Sequence, residues 1–338
     1  MFVRKALLFP LAIFMALAGQ ASGWGPDGHH TVGAIADGLI AGSNAALQVK
    51  AILGDMRLQD ASVWADCAKS VDPKDGYAYH SDPLKYPECT VVEIHGGKAA
   101  MIDFVRRNDR NCSEGSDKIS CHTLYHYTDV PIQRDSYVSG SVGTRDVDIV
   151  HATVAALHVL KGNPAPAPFK FRDKREALLL LAHYVGDIHQ PLHVGAVYLD
   201  RKGNVVDPDK GGRAQPMDTR GGNLIWIDGD ENKKLHATWD AIPDSLKVSQ
   251  ENIDRLLKKA KAIPPTKGRL LDWPTIWASD TLMEAREAFA HVRFYGNVDG
   301  HWNATLPAGY TARMEHIKET QLVKAGARLA QAVKAIWP

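Results

Sequence analysis

The chain has 338 residues, 45% of them apolar and 23% charged, with a formal charge of +1. That balance belongs to a soluble globular protein and excludes a disordered or multi-span membrane chain. It also excludes a broad basic surface as the means of holding nucleic acid, so any grip on phosphate must be local.

Taken in order, the first segment is "MFVRKALLFPLAIFMALAGQASG", residues 1–23. A basic start (Arg4, Lys5), a short apolar run broken by Pro10, and small residues at Ala21 and Gly23 read as a secretory signal peptide. The run is shorter than the roughly 20 residues needed to span a membrane. Its removal takes Arg4 and Lys5 but no acid, lowering the formal charge from +1 to −1. The expectation is a secreted or periplasmic protein with no membrane anchor after processing and no protein partner implied. All four cysteines, Cys67, Cys89, Cys112 and Cys121, lie in the exported part. An even number in an oxidising compartment favours two disulfides, with three connectivities open. Cys112 with Cys121 would close a short loop. The absence of CxxC spacing argues against a thiolate zinc site.

Helical periodicity dominates the rest of the chain. Val32, Ile35, Ala36, Leu39 and Ile40 mark a helix, and Val147, Val150, Val154 and Leu157 mark another. Residues 174–190 read as a buried apolar helix. Later helices are indicated by Ile253, Leu256 and Leu257, by Leu282, Ala285 and Phe289, and by Ile317 through Ile336. Residues 70–95 and 106–122 read as loops. "AVYL" and "NLIWID" flank the charged, Gly-rich loop 200–222 and suggest a small β-hairpin. No repeat or linker divides the chain. The fold class expected is all-α, a single mostly helical domain over residues 24–338.

The chemistry concentrates in "HYVGDIHQPLH", residues 183–193. His183 and Asp187 are four apart, so on a helix they share a face and can hold one metal. Pro191 should end or kink that helix near Gln190. Unbroken helix would put His193 roughly 15 Å from His183. The two therefore serve different ions, or the chain bends sharply. Gly186 inside the helix costs about 1 kcal/mol relative to Ala, which points to a close neighbour. "KLHATWD" repeats the spacing with His236 and Asp240, while "SVWADCAK" offers Asp66 and "LYHYTDV" offers His126. Imidazole and carboxylate together resemble the ligand sets of catalytic zinc. Cleavage after Gly23 would leave Trp24 with a free amine of pKa about 7.7 to 8.0, which can chelate a metal with its own carbonyl. His29 could complete that site. Each motif alone also admits a reading as buried, hydrogen-bonded structural residues, and an N-terminal tryptophan taken alone is more often a hydrophobic plug.

Together, "WGPDGHHTVGAIAD", "VWADCAK", "YHYTDVP", "LAHYVGDIHQPLHVG" and "GGNLIWID…KLHATWD" keep the order and spacing of one family. From Trp24 to Asp240 the chain resembles the single-strand-specific zinc nucleases and 3′-nucleotidases, themselves distantly similar to bacterial zinc phospholipase C. The resemblance implies three Zn²⁺ per chain. Asp66, His126, His183 and Asp187 would hold the first. His193, His236 and Asp240 would hold the second. Trp24 and His29 would hold the third, with Asp187 bridging back to the first. It further implies that Lys69 contacts phosphate, where relatives commonly carry arginine and its bidentate fork. Tyr127 would stack a base, and Asp129 would contact base or water and orient the attacking water. Asn223 in "GGN" is a plausible substrate contact or only a turn residue. His189 is a candidate support for the ligands. His30, His80, His95, His122, His151, His158, His291, His301 and His316 show no partner pattern and are expected to be non-ligands.

The implied activity is hydrolysis of single-stranded DNA and RNA to 5′-phosphorylated products, with 3′-nucleotides as further substrates. Three such ions against three aspartates leave about three positive charges at one spot, which supplies the local attraction for phosphate. The rival readings are a zinc phospholipase C acting on phospholipid head groups and a non-catalytic exported zinc-binding protein.

Overall fold

The computed structural model describes residues 23–94, 96–113, 119–210 and 215–338. The signal-peptide expectation therefore falls, up to residue 22, outside the described residues, as does His95. The protein is mostly helical with only small sheets, as the periodicity predicts.

At its centre is the helix Lys174–Asp187, buried on every side from Glu176 onward. A helix apolar all round belongs in the middle of a large core. Asp173 caps its first turn by accepting from Glu176 N–H, satisfying one of the donors that a helix start leaves open. The buried Glu176 carboxylate is met by the Arg107 guanidinium at 2.6 and 3.1 Å. The helix Ile149–Leu160 packs beside it, capped by Asp148, which accepts from Val150 and His151 N–H. The helix Pro26–Ile40 begins with a proline in its first turn, where the missing N–H is harmless. It packs on the Tyr310–Ile336 helix, whose 27 residues span about 40 Å. Among the described residues, no helix is long and apolar enough to cross a membrane.

Three sequence expectations need correction. "AVYL" and "NLIWID" do not pair with each other. Tyr198–Leu199 pairs with Val205–Val206 and Met217–Asp218. Ile225–Ile227 instead joins Asp230–Lys234 and His301–Thr305, and the latter pairs with Arg293–Val298. The hairpin Arg293–Thr305 captured the strand, a long-range pairing that local pattern does not record. Second, the supposed loops carry structure. Val71–Asp72 pairs with Ala78–Tyr79, and Thr90–Glu93 and Cys121–Leu124 are short helices. The helix Gly97–Asn108 buries Met101, Phe104, Val105 and Asn108 and runs into the region read as loop from 106. Third, the 174–190 helix ends at Asp187, before the turn that leads to Pro191.

The disulfides are Cys67–Cys89 and Cys112–Cys121, which resolves the three connectivities left open by the sequence. The first ties down the short helix Trp64–Ala68, which carries Asp66. A two-residue parallel pairing, Val130 with Gly195 and Pro131 with Ala196, lays the His126 segment alongside His193.

Candidate metal centre

Five histidines and three aspartates, dispersed over more than two hundred residues, meet in three groups. Donor atoms lie within 4.8 Å of one another in His29/His183/Asp187, in Asp66/His126/His183 and in His193/His236/Asp240. Every side chain singled out as a ligand joins a group.

Asp187 is the hinge of the arrangement. Its Oδ2 lies 2.9 Å from His183 Nε2 and 3.0 Å from His126 Nδ1, while Oδ1 lies 3.2 Å from His29 Nε2. One carboxylate thus faces two groups with different oxygens. The chain does bend sharply after Asp187: His193 returns to within 3.9 Å of Asp187 Oδ1. His193 Nε2 and His236 Nε2 are 3.1 Å apart, and Asp240 Oδ2 is 3.6 Å from His236. Gln190 donates to the other Asp240 oxygen at 2.7 Å.

Backbone carbonyls orient the rings. His183 Nδ1 sits 2.6 Å from Ser62 O, His193 Nδ1 2.7 Å from His126 O and His236 Nδ1 2.8 Å from Gly221 O. A proton held on Nδ1 leaves the Nε2 lone pair turned toward the cluster. His29 differs. Both its nitrogens are buried without a hydrogen-bond partner, as is Asp187 Oδ1. Buried polar atoms left this way are expensive, and the donor set of imidazoles and carboxylates fits a zinc-type ion. Gly186 explains itself here: a Cβ would fall 2.8 Å from His29 Nδ1. At Gly221 (φ +56°) a Cβ would fall 2.0 Å from Leu192 O, so the first glycine of "GGN" permits the approach to His236.

Trp24 is fully buried. Gly25 N–H donates to Asp240 O at 2.9 Å, which ties the backbone beside Trp24 to the second group. Gly23 lies against the Asp187 carboxylate, where a Cβ would be 1.4 Å from Oδ1.

The charge states reflect burial and neighbours. Burial, with His183 beside it, pulls the His29 imidazole down to about 4. Burial and Lys69 pull His126 down to about 3. Burial also depresses His183, but Asp187 and Asp66 overcome it and hold it above its ordinary value. Burial raises Asp66 and Asp187, yet Lys69 and the histidines hold Asp66 far below the usual carboxylate range, and His183 and His193 do the same for Asp187. Asp240 is pushed up by burial despite Gln190.

Of the residues expected to contact substrate, Lys69 touches a donor group directly. Lys69 Nζ is 2.6 Å from Asp66 Oδ1, at the edge of the first groups. Tyr127 is half-buried with the Arg145 guanidinium 5.5 Å from its ring centre. Asp129 is buried, with Oδ2 3.5 Å from Arg145 Nη1. Burial and Asp218 push its carboxyl up, and Arg145 opposes them. Asn223 donates to Arg220 O at 3.0 Å and serves its turn. His189 is not near the ligand rings: it faces Val185 O at 2.7 Å and Arg328 at 2.9 Å. Among the described histidines, none outside the five joins a group. Sequence reasoning missed Arg145 and Asp218, which frame Tyr127 and Asp129; neither sits in a patterned stretch.

A helical chain that gathers a polynuclear donor cluster of this kind defines a class, the helical proteins built around a metal centre of histidines and aspartates. More narrowly, the chain belongs to the S1/P1 nuclease family, whose model matches residues 24–338. It is similar to Nuclease S1 of Aspergillus oryzae (strain ATCC 42149 / RIB 40), at 27% identity over 96% of this chain and 95% of that protein. Endonuclease 2 of Arabidopsis thaliana is 26% identical over 93% of this chain and 91% of its own.

Proposed function

We propose that the chain is an exported zinc-dependent endonuclease. It hydrolyses phosphodiester bonds of single-stranded DNA and RNA to 5′-phosphorylated products and removes phosphate from 3′-nucleotides. The observation that carries this reading is the gathering of three His/Asp groups in one place, two of them faced by Asp187 and one bordered by Lys69.

In this reading Asp66, His126, His183 and Asp187 hold one zinc, and His193, His236 and Asp240 a second. The Trp24 amine and carbonyl, with His29 and Asp187, hold the third. Zinc supplies Lewis acidity and makes water ionise near neutral pH. The side chains do the rest. Lys69 balances charge on the phosphoryl oxygens. Tyr127, backed by Arg145, offers a flat face to any unpaired base. A paired base cannot splay out to reach it, which gives the single-strand preference. Asp129 orients the attacking water. Export rests on the character of residues 1–23 and on two disulfides that suit an oxidising compartment.

The test is metal analysis of the processed protein together with hydrolysis of single- and double-stranded polynucleotide and of phosphatidylcholine. Zinc-dependent cleavage of the single strand in large preference to the others is expected. Hydrolysis of the lipid alone would assign a phospholipase, and metal uptake without hydrolysis a storage protein.

A further inference from the structure

The helix Leu235–Asp240 has six residues and carries two members of the second group, His236 near its start and Asp240 at its end. So short a helix has no stability of its own. Its last carbonyls lack partners within the helix, and what satisfies them decides where Asp240 points. Ala237 O accepts from Ala241 N–H, and Asp240 O accepts from Gly25 N–H. Thr238 O and Ala241 O both accept from one ammonium, Lys318 Nζ, at 2.7 and 2.6 Å. Lys318 comes from the Tyr310–Ile336 helix, a region with no motif in its sequence.

The side chain is an unusual choice for its place. Lys318 is 2% exposed, and among the described residues no carboxylate forms an ion pair with it. Burial draws its pKa down to about 8, against the pull of Asp240. An ammonium buried without a paired anion is costly. A cation at a helix C-terminus, bonded to two open carbonyls, recovers part of that cost. A second clamp from the same long helix is Tyr310, whose hydroxyl accepts from Trp239 Nε1 at 2.8 Å and donates to Ala288 O at 2.7 Å.

We propose that Lys318 is the positioning residue of the second metal group. By holding the two carbonyls that flank Asp240, it fixes the backbone from which that carboxylate reaches toward His193 and His236. Loss of its donors removes the one group that holds Thr238 O and Ala241 O together, and the last turn, no longer pinned on both sides of Asp240, shifts. Asp240 shifts with it. This rests on the zinc reading above, and it goes beyond that reading by assigning a task to a residue that touches no metal donor atom.

The experiment titrates zinc into the metal-free processed chain against a chromophoric chelator, with elemental analysis of the product. Wild type, Lys318→Met, Lys318→Gln and Lys324→Met are compared. Lys324 lies on the same helix and pairs with Asp280 at 3.0 Å, so its loss reports general loosening of that helix. The expected result is three tight equivalents for wild type and for Lys324→Met. In Lys318→Met one equivalent weakens about 10- to 100-fold, the range seen when a ligand's support is removed, and the other two are unchanged. Lys318→Gln, which keeps a donor, weakens the same equivalent less and serves if the Met variant does not fold. In a His236→Ala background, Lys318→Met produces no further loss. Three unchanged equivalents in both Lys318 variants would overturn the inference, as would equal losses in the Lys318 and Lys324 variants. Fewer than three equivalents in wild type would instead overturn the zinc reading itself.

Discussion

Gly186→Ala sets two effects of opposite sign against each other. In a helix interior, replacing glycine by alanine gains about 1 kcal/mol from propensity alone. Here the added Cβ would sit 2.8 Å from His29 Nδ1 and 3.1 Å from Cε1. The ring has nowhere to retreat. It is fully buried and stacks on His183 at 3.9 Å between centroids, and His183 is itself held at 2.6 Å by Ser62 O. Overpacking a tight site costs about 1–3 kcal/mol. The net expectation is a loss of about 0–2 kcal/mol in the metal-free chain, where 1 kcal/mol moves Tm by about 2 °C in a protein of this size. Displacing the His29 nitrogens should also weaken one metal equivalent about 10- to 100-fold. Calorimetry of the metal-free variant and zinc titration read both quantities. A variant that melts higher than wild type and retains three equivalents at full affinity refutes the packing argument.

Acid should destabilise the metal-free chain. Burial lowers His29 and His122 to about 4 and His126 to about 3 from an ordinary 6.5. The unfolded chain therefore binds more protons below 6.5, and this stability is complete above that pH and lost as pH falls toward 4. His183 and the buried carboxyls of Asp129 and Asp240, all held above their ordinary values, offset part of the loss. Urea midpoints at pH 7, 6 and 5 should fall in that order; a flat series contradicts the burial argument. Replacing Cys67 and Cys89 by serine opens a link between residues 22 apart, worth about 3 kcal/mol of chain entropy, again read as a urea midpoint. Lys69→Met should lower kcat/KM on single-stranded DNA by about 100-fold, the scale of losing one charge-stabilising donor, with partial recovery in Lys69→Arg; unchanged kinetics remove Lys69 from the site. Tyr127→Ala should raise KM about 5- to 150-fold, from about 1–3 kcal/mol of stacking per base, and an unchanged KM makes Tyr127 a packing residue only.

What the sequence could tell divides along a physical line. His183 with Asp187, and His236 with Asp240, were legible because a helix converts a four-residue spacing into a shared face. Gly186 was legible as an anomaly whose cause, the His29 ring, became visible only in three dimensions. The helix Gly97–Asn108 was not read, because its apolar positions Met101, Phe104 and Val105 stand among polar neighbours. The partners of Ile225–Ile227 were not readable, since a short strand carries no mark of which distant hairpin will claim it. Arg145, Asp218 and Lys318 were invisible for the same reason. Each acts through one tertiary contact, with no periodic companion to draw attention to it. His189 shows the converse error, a residue between ligands in sequence that faces Arg328 across the core.

In the proposed function, a chain starting at Trp24 assembles a three-metal centre that cuts unpaired polynucleotide. The most direct measurement compares the chain beginning at Trp24 with one retaining Gly23, which lies against Asp187. Each is assayed for bound zinc and for single-strand cleavage before and after chelation. The account predicts three equivalents and chelator-sensitive cleavage for the first chain, and loss of one equivalent for the second. Equal metal content in both chains, or cleavage that survives removal of the metal, contradicts it.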